Sequence, residues 1–304
     1  MTRPGTNQGT VFDIGYQKYG GPREGSNRAR FAVFKDGVRT ALGFGRGARA
    51  KVLPWLFIGV LIAIVLVMAL LAGAATRLAG PEGAAQLNLP SHSDYYGIAS
   101  IFFFVFAAVS APELLCPDRR DGVIHLYLVR PLTGTDYVFS RWLAFFAVMV
   151  MVAWLPQVIL LIGLVMGDPK PVEFFKANWL DVPRFILSGT AFAAYTTTLA
   201  LVTASFTNRR AYASVFLIGL FVITAPFTTG LASEIGGTAG RWISMFNLTN
   251  IPVHVNDLIF GQASEITKHA PAGELPGWVL VGWYLLWTLG PGGILWARYR
   301  RPAL

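Results

Sequence analysis

Charge is scarce in this chain. Asp, Glu, Lys and Arg together make up 13% of its 304 residues, about half the share of an ordinary soluble domain. A single cysteine, Cys116, rules out an intrachain disulfide and reads as a small buried hydrophobe. The four histidines, His92, His125, His254 and His269, are scattered, and neither HExxH nor CxxC occurs, which speaks against a metal centre. There is no GxSxG and no nucleophile–base constellation, so nothing points to hydrolase chemistry. The Walker pattern GxxxxGK[ST] is missing as well, so the chain cannot itself hydrolyse ATP in the P-loop manner. No catalytic, cofactor-binding or metal-ligating residue is assigned.

Apolar residues are abundant, at 54%, and they cluster. Six runs reach the roughly 20 residues needed to cross a bilayer: about Val52–Gly73, Tyr95–Leu115, Tyr137–Met166, Phe185–Phe206, Tyr212–Leu231 and Gly277–Ala297. The fold expected is therefore an all-α polytopic membrane protein with six transmembrane helices. Residues 1–51 form an N-terminal segment, residues 52–298 the six-span domain and residues 299–304 a tail.

Basic residues gather on the cytoplasmic side of membrane proteins. With the N-terminus inside, 19 of the 25 Lys and Arg fall on that side, and Arg141 is one of the 19. Six spans then put both termini in the cytoplasm. The net charge of +9 is thus spent on topology signals beside the spans, which argues against nucleic acid as a partner. Ion-coupled carriers keep ionisable relays deep in the bundle, and here acids are nearly absent from the spans, with only Glu113 near one, a turn from its end.

Three segments between the spans carry further information. Across 28–43, Phe31, Phe34, Val38 and Leu42 share one helical face flanked by Arg28, Lys35 and Arg39. This predicts an amphipathic helix lying in the lipid interface, with packing on protein as the alternative. Between spans two and three, Pro117 is expected to end the second span and Asp118 to cap a new helix over about 118–130, stopped by Pro131. Asp118, Arg119, Arg120, Asp121 and Arg130 keep this connector in water, while Val123, Ile124, Tyr127 and Leu128 form an apolar face that needs a partner. The third segment, about 232–276, is too small for a folded domain and is expected to hold re-entrant or interface-hugging helices.

Within the spans, Pro226 and Gly290-Pro291-Gly292-Gly293 are kink signals, and Gly163-xxx-Gly167 is a small-residue packing pair. Span four is rich in hydroxyls, among them Ser188, Thr190, Thr196, Thr197 and Thr198. Such a helix is expected to face other helices or a solvated path rather than lipid.

With these features in place, the chain resembles the membrane subunit of ABC-2-type ABC transporters. The resemblance rests on the 28–43 helix, on the long segment between spans five and six, and above all on the connector. The connector reads Asp118-Arg119-Arg120-Asp121-Gly122, then His125-Leu126-Tyr127-Leu128-Val129-Arg130-Pro131, with Tyr137 beyond. It implies a permease pairing with a second permease copy or a related permease in a bacterial inner membrane, and a preference for Arg over Lys (19 against 6) points to a high-GC genome. It further implies two copies of a separate ABC ATPase beneath, carrying the ATP and Mg, with Asp118–Arg130 as the coupling helix seated in the ATPase. Membrane lipids would contact the interfacial helix. The same residues also fit a membrane anchor that recruits a cytoplasmic partner without moving cargo, and more remotely an ion-coupled carrier.

Overall fold

The structure, a computed structural model, describes residues 25–45, 47–87, 89–124, 132–264 and 266–300. The described residues are helical throughout, with no strand. In chain order the helices are α1 (Ser26–Ala41), α2 (Ala48–Gln86, broken at Gly80, where φ is 73°), α3 (His92–Ser110), α4 (Pro112–Arg120) and α5 (Gly134–Gly167). There follow α6 (Pro171–Ala177), α7 (Asp181–Ser205), α8 (Arg210–Ile235), α9 (Gly237–Ser244), α10 (Ile251–Phe260), a 3₁₀ turn (Pro271–Glu274) and α11 (Gly277–Arg300).

Six helical stretches are long and apolar enough to cross a membrane: Lys51–Gly80, His92–Arg120, Gly134–Gly167, Asp181–Ser205, Arg210–Ile235 and Gly277–Arg300. Each coincides with one of the runs read from the sequence. The chain is an all-helical protein of the multi-pass membrane type, because only helices satisfy every backbone group internally across hydrocarbon.

Local chemistry sets the helix ends. Asp94 accepts the Ser91 backbone N–H at 2.9 Å where α3 starts. Thr133 and Asp136 form a reciprocal capping box at the start of α5, with the Asp136 N–H donating to Thr133 Oγ1 at 3.1 Å and the Thr133 N–H to the Asp136 carboxylate at 3.1 Å. Gly261, at φ 73°, ends α10 in the left-handed conformation that glycine adopts at little cost. Helices α8 and α11 run on through Pro226 and Pro291.

The connector departs from expectation. Pro117 does not end the second span: α4 continues through it to Arg120, and Asp118 sits inside the helix rather than at its cap. Leu114, Leu115 and Cys116 are buried on the turn before Pro117, and this packing offsets the single backbone bond that proline cannot donate. The break comes instead at Asp121-Gly122-Val123, where Gly122 takes φ +67°. One continuous helix over 118–130 is thereby excluded, since a left-handed residue cannot sit inside it.

The interior is built from α3, α5 and α7. Tyr96, Phe103, Phe104, Phe192 and Tyr195 are buried between α3 and α7, and Phe104 stacks on Phe221 of α8 at 4.1 Å between centroids. The Gly163/Gly167 pair brings α5 against α2: a Cβ added at Gly163 would lie 2.5 Å from Ala69 Cβ, and one at Gly167 3.1 Å from Gly73 Cα. In lipid such close approach is what holds helices together, because greasy surface gains little by leaving hydrocarbon. Helices α2, α8 and α11 lie at the periphery with long apolar faces exposed.

Candidate functional site

Arg141 stands on α5, two turns into the third span, and is only 2% exposed. A bare guanidinium there would cost several kcal/mol. Two carboxylates from other helices answer it. Nη1 donates to Asp36 Oδ2 of α1 at 2.8 Å, and Nη2 donates to Asp118 Oδ2 of α4 at 2.7 Å. The Tyr137 hydroxyl, one turn earlier on α5, donates to that same Asp118 oxygen at 2.7 Å. The guanidinium carbon lies 5.6 Å from the Tyr137 ring centroid, and that ring packs against Tyr299 of α11 at 5.8 Å between centroids. Three helices, α1, α4 and α5, thus meet on one charge, and α11 packs on the Tyr137 ring beside it.

The approach of α1 depends on Gly37. A Cβ built there would stand 2.6 Å from Ala144 Cβ and 3.6 Å from Arg141 Nη1. Above it, Arg30 Nε pairs with Asp136 Oδ1 at 2.9 Å, so the α5 capping box is also tied to α1. Val33, Gly37 and Ala41 make the buried face of α1. The apolar face read from the sequence, expected to meet lipid, is for the most part turned away from the bundle. Of its apolar members only Leu42 is buried; Phe34 and Val38 are half-buried, and Phe31 is 54% exposed and stacks on Phe34 at 6.2 Å. Lys35 and Arg39 are exposed. The helix rests on α5 through its small residues and turns its bulky and basic ones outward.

Further ties gather at the same end of the bundle. Arg210 of α8 holds both oxygens of Glu113 of α4, at 2.8 and 2.6 Å. Arg298 of α11 caps the last turn of α7 by donating to the Ser205 carbonyl at 2.8 Å. The Cys116 thiol points at the Thr207 carbonyl, 3.4 Å away. Arg120 and Asp121 pair at 2.8 Å in the exposed turn, and that hydrogen bond holds the Asp121 carboxyl below its usual range. Arg119 is half-buried, with Nη1 unpartnered. His125, Tyr127, Leu128 and Arg130 lie outside the described residues.

The hydroxyls of span four face inward. Ser188 donates to Asn256 Oδ1 of α10 at 2.6 Å. Thr196 bonds back to the Phe192 carbonyl, and Thr198 bonds to the Ala194 carbonyl while accepting Trp142 Nε1 at 3.0 Å. Thr197 Oγ1 is buried without a partner, and Thr190 bonds to the Ile186 carbonyl at the helix edge. At the bundle end opposite α1, Asn256 also donates to the Ser93 carbonyl at 2.7 Å and Gln262 to Ser93 Oγ at 2.6 Å. His92 and Gln157 bond at 2.6 Å, and Tyr195 donates to the Leu248 carbonyl at 2.8 Å. These bonds fasten the segment between α8 and α11 onto α3 and α7, and the His92–Gln157 bond ties α3 to α5.

Among the described residues no group of three or more His, Cys, Asp or Glu could hold a metal. No protein-family model matches the sequence, and neither does any curated protein.

Proposed function

We propose that the chain is the membrane subunit of an ATP-driven exporter of the ABC-2 type, working with a separate ATPase. The observation that carries this reading is the Arg141 bridge. An ATPase seated on the connector that begins at Asp118 would pull on α4. Through Asp118 the pull reaches Arg141 and hence the third span, and through Asp36 it reaches α1. A connector tied rigidly to one span and one peripheral helix is what mechanical coupling needs: a packed, two-position element rather than a soft loop. In this reading the α1 end faces the cytoplasm of a bacterial inner membrane, and a second permease copy covers part of the exposed apolar periphery. The lack of a P-loop in this chain fits a division of labour in which ATP and Mg belong to the partner.

The test is reconstitution of the full chain with the ATPase that purifies with it. The assembly is expected to show ATPase activity that changes when the membrane subunit carries Asp118→Asn, with association retained. Tyr127→Asp with Leu128→Asp is expected to abolish association. An ATPase bound and turning over identically with every variant leaves only the anchoring role. Absence of any ATPase from the purified assembly overturns the proposal.

A further inference from the structure

The end of the bundle opposite α1 holds a cavity of about 300 Å³ between α10, the turn after it and the start of α11. Its walls include His254, Asp257, Leu258, Gln262, Thr267 and Leu280. His254 is 4% exposed, and its Nε2 has no hydrogen-bond partner. An orphaned ring nitrogen in so buried a place is costly.

Beside it, the Asp257 carboxylate accepts from the Ser264 N–H at 3.1 Å, from Asn256 Nδ2 at 3.3 Å and from the Thr267 hydroxyl. All three are neutral donors, and they favour the ionised form. Among the described residues no cation pairs with Asp257, and burial pushes its carboxyl upward. Gln262 spends its amide N–H on Ser93 Oγ, which leaves its carbonyl oxygen as an acceptor. Burial drives His254 down to about 4, so its imidazole is neutral near pH 7.

Among the described residues the polar wall therefore offers one negative charge and neutral acceptors without a positive charge, against apolar Leu258 and Leu280. An anion is repelled by such a wall. A divalent metal finds only one histidine and one carboxylate. We propose that this cavity binds a primary ammonium group on a short stem, with Asp257 as counter-charge, the Gln262 carbonyl as an acceptor, and Leu258 and Leu280 along the stem. The ammonium can arrive as a soluble amine or as the ethanolamine headgroup of a membrane lipid. The assignment stands apart from the transport reading and survives its failure.

Radiolabelled ethanolamine and the full chain in phosphatidylglycerol nanodiscs test it. Saturable binding at one site per chain is expected, weakened at least tenfold by Asp257→Asn and by Leu258→Trp. The second variant narrows the cavity from a half-exposed position and leaves the hydrogen-bond network whole, so it reports even where Asp257→Asn loosens the segment. In discs containing phosphatidylethanolamine, a lipid ligand excludes the label and stays on the chain in native mass spectrometry, whereas a soluble ligand leaves the label bound. Either result supports the site and names its source. No saturable binding together with no retained phosphatidylethanolamine overturns it. So does binding that both variants leave unchanged, or a cavity that takes Zn²⁺ through His254 and ignores the amine.

Discussion

Tyr137 and Arg141, one turn apart on α5, donate to the same oxygen of Asp118. That oxygen fastens the end of the second span to the start of the third. Asp36, the other carboxylate on Arg141, is 57% exposed at its side chain against 14% for Asp118. The two acids face one guanidinium and are far from equal.

Asp118→Asn keeps an acceptor for Tyr137 and removes the buried counter-charge. Stranding a buried charge costs about 3 kcal/mol or more, whereas losing a solvated pair costs about 1 kcal/mol at most. Thermal unfolding in detergent is expected to show a large drop for Asp118→Asn and a small one for Asp36→Asn. Equal drops would mean that Arg141 is more hydrated than its burial indicates.

Gly37→Ala drives a methyl into Ala144 and should push α1 off α5, at a cost of about 1–3 kcal/mol. Pairing it with Ala144→Gly vacates the same space. Protease accessibility of α1 is expected to rise in the single variant and return in the double. A double variant as exposed as the single would place the contact elsewhere.

His254 lies in the segment between the last two spans, and burial lowers it from 6.5 to about 4. Above pH 6.5 it is neutral whether the segment is folded or open, so it contributes no pH dependence. As pH falls from 6.5 to 4 the open form takes a proton that the closed form refuses, and closed-state stability drops by up to about 3 kcal/mol. The raised Asp257 carboxyl works in the opposite direction, because acid relieves its burial cost. Comparing His254→Gln with the parent by hydrogen exchange over α10 isolates the imidazole: the parent should lose protection below pH 6.5 more steeply than the variant.

Sidedness is testable with the chain's own cysteine economy. Cys116 is buried and should stay unlabelled by an impermeant maleimide. Cysteines placed at exposed Arg39 and Thr238 are expected to label from opposite faces of the membrane, with Arg39→Cys reacting from the cytoplasmic face. Labelling of both from one face would overturn the arrangement.

The spans were legible because a run of apolar residues is a local signal, and the burial of Ser188 and Thr196 followed from their small size. Arg141 was not legible. In sequence it is one more basic residue beside a span, and its partners stand 105 and 23 positions away. The side of α1 that packs on α5 was not legible for a related reason. Hydrophobicity gives weight to Phe31 and Phe34, while the contact is made where Gly37 and Ala41 leave room. At Pro117 the general rule about proline gave way to the packing of Leu114 and Cys116, which only the assembled bundle supplies.

The capping box at Thr133 and Asp136 does more than start a helix. It sets the rotational phase of α5, because each residue after it turns the helix by about 100°. One alanine inserted after Asp136 would preserve the span's length and greasiness. It would also swing Arg141 a quarter-turn or more away from both of its acids. The segment would still cross the membrane, and its tether to the neighbouring helices would be gone.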